Sequence, residues 1–499
     1  MPEAHLYARC ASDMAVLYWD KPSLAAADAV YTVFINDKKL ADTKKTHCTI
    51  QNLVPDTDYT VQVQMGGHWV GGGVVHTGRE KHRIDVTTAP YWAKGDGNVM
   101  NTAALQRAID ACGPEDILYF PAGDFLTGAL RLHSDMEIYL AKGANIIGNA
   151  NPRNYEPRIP SRFEGVEMLC YSSLLNAGTL DHTQGANCRN ITIRGEGSIV
   201  SGGQELAMNI IRHERERLQA TMPDYAEKSA ACENDDTLGG RVRPRLINLS
   251  NCENVWIHGI TLKNGASWNL HMVYCKNIVT DHCTFISEGV WNGDGWDPDS
   301  SEDCTLFAGQ FFTGDDAVAI KSGKNPEGNQ IGRPCRGIKV FDCRSAFGHG
   351  ICIGSEMSGG VEDVQIWDCD LENALSGIEI KATPKRGGYV RGVTVRDCIS
   401  PRVMVHSVPY NDDGAPAPDA PVLTHLTFER LTLTGRALDH DHNWQDVAPI
   451  ELAGFAQPGH EIKDVLFRDI TITAQEPALP LKLCSDVSFT NLCCKPAAK

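Results

Sequence analysis

The chain has 499 residues, enough for two to four average domains or for one large repeat fold with an appendage. Hydrophobic residues make up 42% and charged residues 22%, the balance of an ordinary globular protein. The net charge of −17 argues against nucleic acid as a partner and gives no long-range pull on a polyanion, so local Lys and Arg must hold any acidic substrate.

Residues 1–80 alternate apolar and polar in short runs, AVLYWD, YTVFIN, CTIQNL and YTVQVQM, separated by turn residues. That pattern predicts a small β-sandwich. Trp19 and the run LVPDTDYTVQV resemble a fibronectin type III domain, and the resemblance implies a corner hydrogen bond from Tyr59. The opening residues lack a basic region followed by an apolar core, which predicts no signal peptide and a cytoplasmic location. No apolar run along the chain reaches membrane-spanning length, so no membrane is expected as a partner.

The pattern changes from Tyr91, and the second domain is expected to run from 81 to 499. AKGDGNVMNTAALQRAIDAC predicts a helix with Asn101 and Thr102 as candidate caps and an apolar rhythm through Leu105, Ile109 and Cys112. A helix followed by many strands suits the capped end of a solenoid, whose first coil otherwise exposes a sheet edge. Two inserts follow, 150–185 with SRFEGVE and 204–240 with NIIRHERERLQA and CENDDT; HERER is expected to be a solvated helix face.

From Leu246 the units CENVWIHGITLKN, CKNIVTDHCTFIS, EDCTLFAGQFFTG, CRGIKVFDCRSAFG and VEDVQIWDCDLEN recur, with four more behind them. Each has a polar turn, an alternating strand, an Asp or Asn, then a second short strand. Spacings of roughly 22 to 33 residues mean a solenoid of stacked parallel strands. Cys283, Cys343, Cys369 and Cys398 close strand units, and no CxxC pair occurs among the 18 Cys. They are expected to be small core-stacking residues in a reducing compartment. Residues 408–421, PYNDDGAPAPDAPV, are a loop within the array.

The chemistry gathers in Asn292–Lys321. Asp294 lies in Asn-Gly-Asp-Gly, and 21 residues later Asp315 and Asp316 form Gly-Asp-Asp. His349 in Gly-His-Gly and Lys381 after Glu379-Ile380 follow at steps of 33 and 32 residues. If each step is one coil, stacked about 4.8 Å apart, these groups share one face. Neighbouring carboxyls split their pKa values, so one of Asp315 and Asp316 is expected to be raised and to serve as an acid. Gly314 supplies the bend that lets both reach one site. Asp297 reads as structural, bonding turn amides, and Asp299 is open; His271 reads as structural. Lys321 projects after the acid pair and is a candidate for a substrate carboxylate. DHDHN at 439–443 reads as a solvated turn and not a metal site, because its candidate ligands are contiguous.

The cap, the repeats and the motifs NGDG, GDD, GHG and EIK resemble the polygalacturonases of glycoside hydrolase family 28, over roughly residues 88–490. The resemblance implies an all-β fold, a right-handed parallel β-helix behind the small sandwich. It implies hydrolysis of α-1,4-galacturonosyl bonds of pectate with inversion, without a metal or other cofactor. Carried over by motif, Asp315 is the general acid, Asp294 and Asp316 hold and deprotonate water, His349 tunes the acid, and Lys381 holds a substrate carboxylate. SRFEGVE, NGDGWDPDSS, IGSEMSGGV and KRGGYV further resemble the exo-acting, oligogalacturonide-trimming branch. Two positions depart from the family pattern: Gly293 stands where Thr is usual, and Glu379 where Arg is usual. Glu379 is expected to stand in the substrate-binding set but cannot pair with a uronate carboxylate, so Lys385 and Arg386 are the candidates for the missing charge. Glu379 also keeps open a hydrolase of rhamnogalacturonan or substituted galacturonan. A pectate lyase on the same solenoid fits the Asp pair and Gly-His-Gly poorly, and a non-catalytic sugar-binding β-helix is disfavoured by three intact acids.

Overall fold

The computed structural model describes residues 5–232, 234–410, 413–474 and 477–495. Two compact units are present: residues up to Ile84 with Cys112–Ile117, and Asp85–Ala111 with the chain from Leu118 onward.

In the first unit, a three-stranded antiparallel sheet (Leu6–Cys10, Met14–Trp19, His47–Gln51) and a four-stranded one (Lys38–Thr43, Tyr31–Ile35, Asp58–Met65, His68–His76) enclose one core. Trp19, Tyr31, Val33, Val61 and Val63 are fully buried there, as the alternation requires. The Tyr59 hydroxyl accepts the Val54 N–H at 2.9 Å.

The second unit is a parallel β-solenoid with sheets of seven, eleven and fifteen strands among the described residues. Its order comes from columns of identical register. Ile193, Ile257, Thr280, Leu306, Val340, Ile366, Val395, Phe428 and Phe467 pair in succession, and all are buried. Beside them Phe307, Phe341 and Trp367 stack face to face at centroid spacings of 4.9 and 4.3 Å. A residue of positive φ turns the corner after the alternating strands: Asp342, Asp368, Asp397 and Asp469 have φ of 49–56°, and His282, Ala308 and Arg430 take the same role at 50–53°. Asp tolerates this left-handed region better than most residues. Cys283, Cys343, Cys369 and Cys398 are buried free thiols just past these corners.

Helices modify the expected all-β chain to a mostly-β one. Thr102–Ala111 buries Leu105, Ala108 and Ile109. Asn101 does not cap it through its side chain: Oδ1 accepts Lys94 N–H, and Nδ2 donates to the Lys94, Val99 and Leu126 carbonyls. The first insert is a hairpin, Ile159–Phe163 with Val166–Cys170. The second holds helices Gly203–Thr221, Tyr225–Ala230 and Thr237–Gly240. HERER is not simply a solvated face, because Glu214 is 1% exposed and pairs with Arg158 at 2.5 Å and Arg217 at 2.6 Å. Another hairpin, Arg436–Leu438 with Trp444–Asp446, surrounds the DHDHN turn.

Candidate active site

Consecutive strands of the eleven-stranded sheet, Trp296–Asp299, Val318–Ile320, Gly350–Ile353 and Gly377–Ala382, lie side by side. Asp294, Asp315, Asp316 and His349 sit in the turns that lead into the first three, and Lys381 sits on the fourth. Lateral stacking therefore converts steps of 21, 33 and 32 residues into near neighbours. Glycines at the turns permit close approach. A Cβ on Gly293 would meet the Val290 carbonyl oxygen at 2.7 Å, and one on Gly314 would meet it at 2.4 Å. Gly293 in place of Thr is thus tied to the course of residues 287–290.

All five groups line one cleft of about 1340 Å³. That exceeds the roughly 300–1,000 Å³ of a small-molecule pocket, so the cleft suits an oligomer. His349 Nδ1 lies 3.0 Å from Asp315 Oδ1 and 3.1 Å from Asp316 Oδ1. Lys381 Nζ bonds both oxygens of Asp316, at 3.1 and 3.0 Å. Asp316 is 3% exposed, whereas the Asp315 side chain is 25% exposed, so Asp315 is the member of the pair presented to the cleft. Burial raises the Asp316 pKa, but Lys381 and His349 outweigh it and the carboxyl is held below its usual range. Burial also opposes charge on His349, yet Asp315 and Asp316 push its pKa up to about 10.

Around the cleft, Asp294 and Asp297 are raised, whereas Asp316 is lowered. Burial lifts Asp294 well above the usual range; Lys321 opposes this, and Asp297, Asp315 and Asp316 add to it. Asp297 is pushed up to about 7, mainly by burial, with Lys321 opposing. Asp297 lies on the strand and neither oxygen accepts a hydrogen bond, so it does not bond turn amides. Lys321 Nζ is 2.9 Å from Asp294 Oδ2, 3.4 Å from Asp297 Oδ1 and 3.8 Å from the Trp268 ring centre. This lysine lines the cleft with its charge already engaged by Asp294.

Two expected substrate contacts are corrected. Arg386 is fully buried; Nε donates to the Ser355 carbonyl and Nη1 to Asn325 Oδ1, so it braces the wall and does not face the cleft. Glu379 also lies off the cleft, accepting His406 Nε2 at 2.7 Å. Burial opposes its charge, but Lys381 and His406 lower its pKa to about 2. Lys385 does line the cleft. Asp299 and His271 are both fully buried; Asp299 pairs with Arg162 at 2.8 Å and with His271 at 3.4 Å. Both are parts of the wall.

Several lining residues carried no sequence signal. Arg241 reaches Glu164 and Asp413, and Arg243 Nη2 donates to Asn292 Oδ1 at 2.6 Å. Trp268, Trp291, Tyr410 and His440 complete the lining. The Pro- and Asp-rich loop brings Tyr410 and Asp413, its residues 411 and 412 lying outside the described residues. The DHDHN turn is more than a solvated turn: His442 stacks on Phe347 at 4.1 Å, and His440 meets His349 edge-on at 5.7 Å. Tyr410 and His440 sit in polar loops whose paths sequence periodicity does not fix.

A model of the family described as Glycosyl hydrolases family 28 matches residues 170–405, which span the whole acid cluster. The exo-poly-alpha-D-galacturonosidase of Dickeya chrysanthemi is 26% identical over 431 residues, covering 82% of this chain and 70% of that protein. A probable polygalacturonase of Vitis vinifera is 31% identical, covering 60% of this chain and 58% of its own length. Among solved structures, the family 28 exopolygalacturonase of Yersinia enterocolitica superposes with a TM-score of 0.81 at 21% identity, covering 99% of each chain. The exopolygalacturonase of Thermotoga maritima gives 0.67 at 26% identity, covering 83% of this chain and 92% of its own. The chain thus resembles glycoside hydrolase family 28 over the span that carries the acid cluster, and it shares its solenoid fold with the Yersinia and Thermotoga exopolygalacturonases.

Proposed function

We propose that the protein is an inverting, exo-acting polygalacturonase that trims pectate or oligogalacturonides from a chain end. The observation that carries this is Asp315 facing the cleft beside an ionised, Lys381-bound Asp316. Asp315 gives its proton to the glycosidic oxygen as the C1–O bond breaks. Water attacks C1 from the opposite face and loses a proton to Asp316, with Asp294 helping to hold it. The nearest Asp315 and Asp316 oxygens lie within 4.8 Å of each other, under the roughly 6.5–9.5 Å usual for an inverting pair, so inversion rests on the family resemblance and on the anomer test below. His349, protonated, bridges Asp315 and Asp316, and Lys381 and Lys385 supply positive charge for uronate carboxylates.

Exo action is supported by the names of the Dickeya and Thermotoga proteins and by insert residues in the cleft lining, among them Glu164, Asn234 and Asp236. Proton NMR of early product anomers tests inversion, and product sizing tests the mode of attack. Monomer or dimer released first from long pectate is expected; mixed longer oligomers overturn the exo reading, and an ultraviolet-absorbing product overturns hydrolysis.

A second assignment of the acid is favoured by one observation, the raised pKa of buried Asp294. If Asp294 is the donor, Asp294→Asn shifts the alkaline limb of the pH–rate profile and Asp315→Asn does not. The N-terminal unit we read as fibronectin type III-like, from its three- and four-stranded sheets and the Tyr59 bond. The free buried thiols suit a reducing compartment.

A further inference from the structure

One wall of the cleft is built of rings the hydrolytic chemistry does not use. Trp291 lines the cleft with its side chain half open, 51% exposed. Its backbone is clamped: its N–H donates to Gln204 Oε1 at 2.9 Å, and its carbonyl accepts Arg243 Nη1 at 3.0 Å. The adjoining Asn292 is held by the same guanidinium. An open indole on a fixed backbone is a preorganised platform.

His440 comes to this cleft from a distant coil. The hairpin Arg436–Leu438/Trp444–Asp446 is inserted between strands Thr432–Leu433 and Ile450–Ala453. Its turn is tightened by Asp439, which accepts the Asp441 and Asn443 N–H groups. His442 then fastens it, with Nε2 2.8 Å from Glu288 Oε1 and its ring 4.1 Å from that of Phe347. Glu288 is the acidic group of this wall, and His442 occupies it. His440 is left exposed, edge-on to His349.

A sugar ring has an apolar C–H face and a rim of hydroxyls. The first fits an indole and the second fits an imidazole, which donates and accepts. We propose that Trp291 and His440 form a subsite for a galacturonate unit beyond the two that flank the cleaved bond. This rests on the polygalacturonase reading above and adds to it a determinant of chain-length preference.

The test compares kcat/KM for di-, tri- and tetragalacturonate in the wild type, Trp291→Ala, His440→Ala and Trp291→Phe. The gain in kcat/KM from dimer to trimer is expected to shrink about tenfold in the alanine variants through a higher KM for the trimer, and Trp291→Phe is expected to recover most of it. Chain-length dependence identical to wild type in both alanine variants overturns the subsite. So does an equal loss on dimer and trimer, which a merely structural role produces. If the wild type cleaves none of these oligomers, the functional reading fails. The subsite is then decided by calorimetric titration of trigalacturonate onto the wild type and Trp291→Ala, where an unchanged Kd overturns it.

Discussion

At Asp316 burial opposes charge, and two fixed cations decide the outcome. In the proposed mechanism Asp316→Asn removes the group that grips water, and Asp315→Asn removes the cleft-facing proton donor. Each is expected to lower kcat by about 10²–10⁴-fold, measured on trigalacturonate. Asp297 has the opposite sign. Its folded pKa, about 7, lies above the unfolded value of roughly 3.9, so the folded protein holds a proton that the unfolded chain has released. The stability this gives is full below about pH 4 and is lost as pH rises through about 7. Asp297→Asn, which stays neutral, is expected to flatten that part of the melting-temperature profile between pH 4 and 8. A slope as steep as wild type argues against the assignment.

Among the elements, the hairpin Ile159–Phe163/Val166–Cys170 is joined to the solenoid wall by Arg162. Its guanidinium is 1% exposed and bonds Asp299, Ser300 and the Tyr274 hydroxyl. Removing one partner leaves buried Asp299 unpaired, so Arg162→Ala is expected to cost about 3–5 kcal/mol in denaturant unfolding. Arg162→Met combined with Asp299→Leu is expected to cost less than the single change. Glu379 teaches a related lesson on the strand Gly377–Ala382. It stands between Lys381 and His406. Placing there the Arg usual in family 28 would set a second cation beside Lys381 and remove the acceptor of the His406 imidazole. Glu379→Arg is therefore expected to lower activity, and Glu379→Arg with His406→Glu to recover part of it.

The whole molecule sets a field that the cleft works against. A net charge of −17 repels polyanionic pectate at long range, whereas the cleft cations act at contact. Raising ionic strength from 0.01 to 0.15 M shortens the screening length from about 30 to 8 Å. On long pectate kcat/KM is expected to rise over that range, and on dimer it is expected to hold or fall. Asp315, Asp316 and His349 have ligating atoms within 4.8 Å of one another, a spacing that would also admit a cation. Lys381 and protonated His349 already balance that charge, so dialysis against EDTA is expected to leave the rate unchanged.

The solenoid was legible because its physics is local and repeated. Alternation puts Val, Ile, Leu and Phe inward on successive coils, and an Asp at φ near 50° turns several of the corners. The same repeat counted the acids onto one face. The sequence could not show which carboxyls are raised and which lowered. Asp294 and Asp297 are raised because burial outweighs Lys321, and Asp316 is lowered because Lys381 and His349 surround it. Nor could it show that Arg386 and Glu379 turn to partners in the wall, or that two polar loops carry Tyr410 and His440 into the cleft. Periodicity along the chain determines what stacks on what; charge state and loop destination depend on neighbours tens of residues away in sequence, which only the folded arrangement brings together.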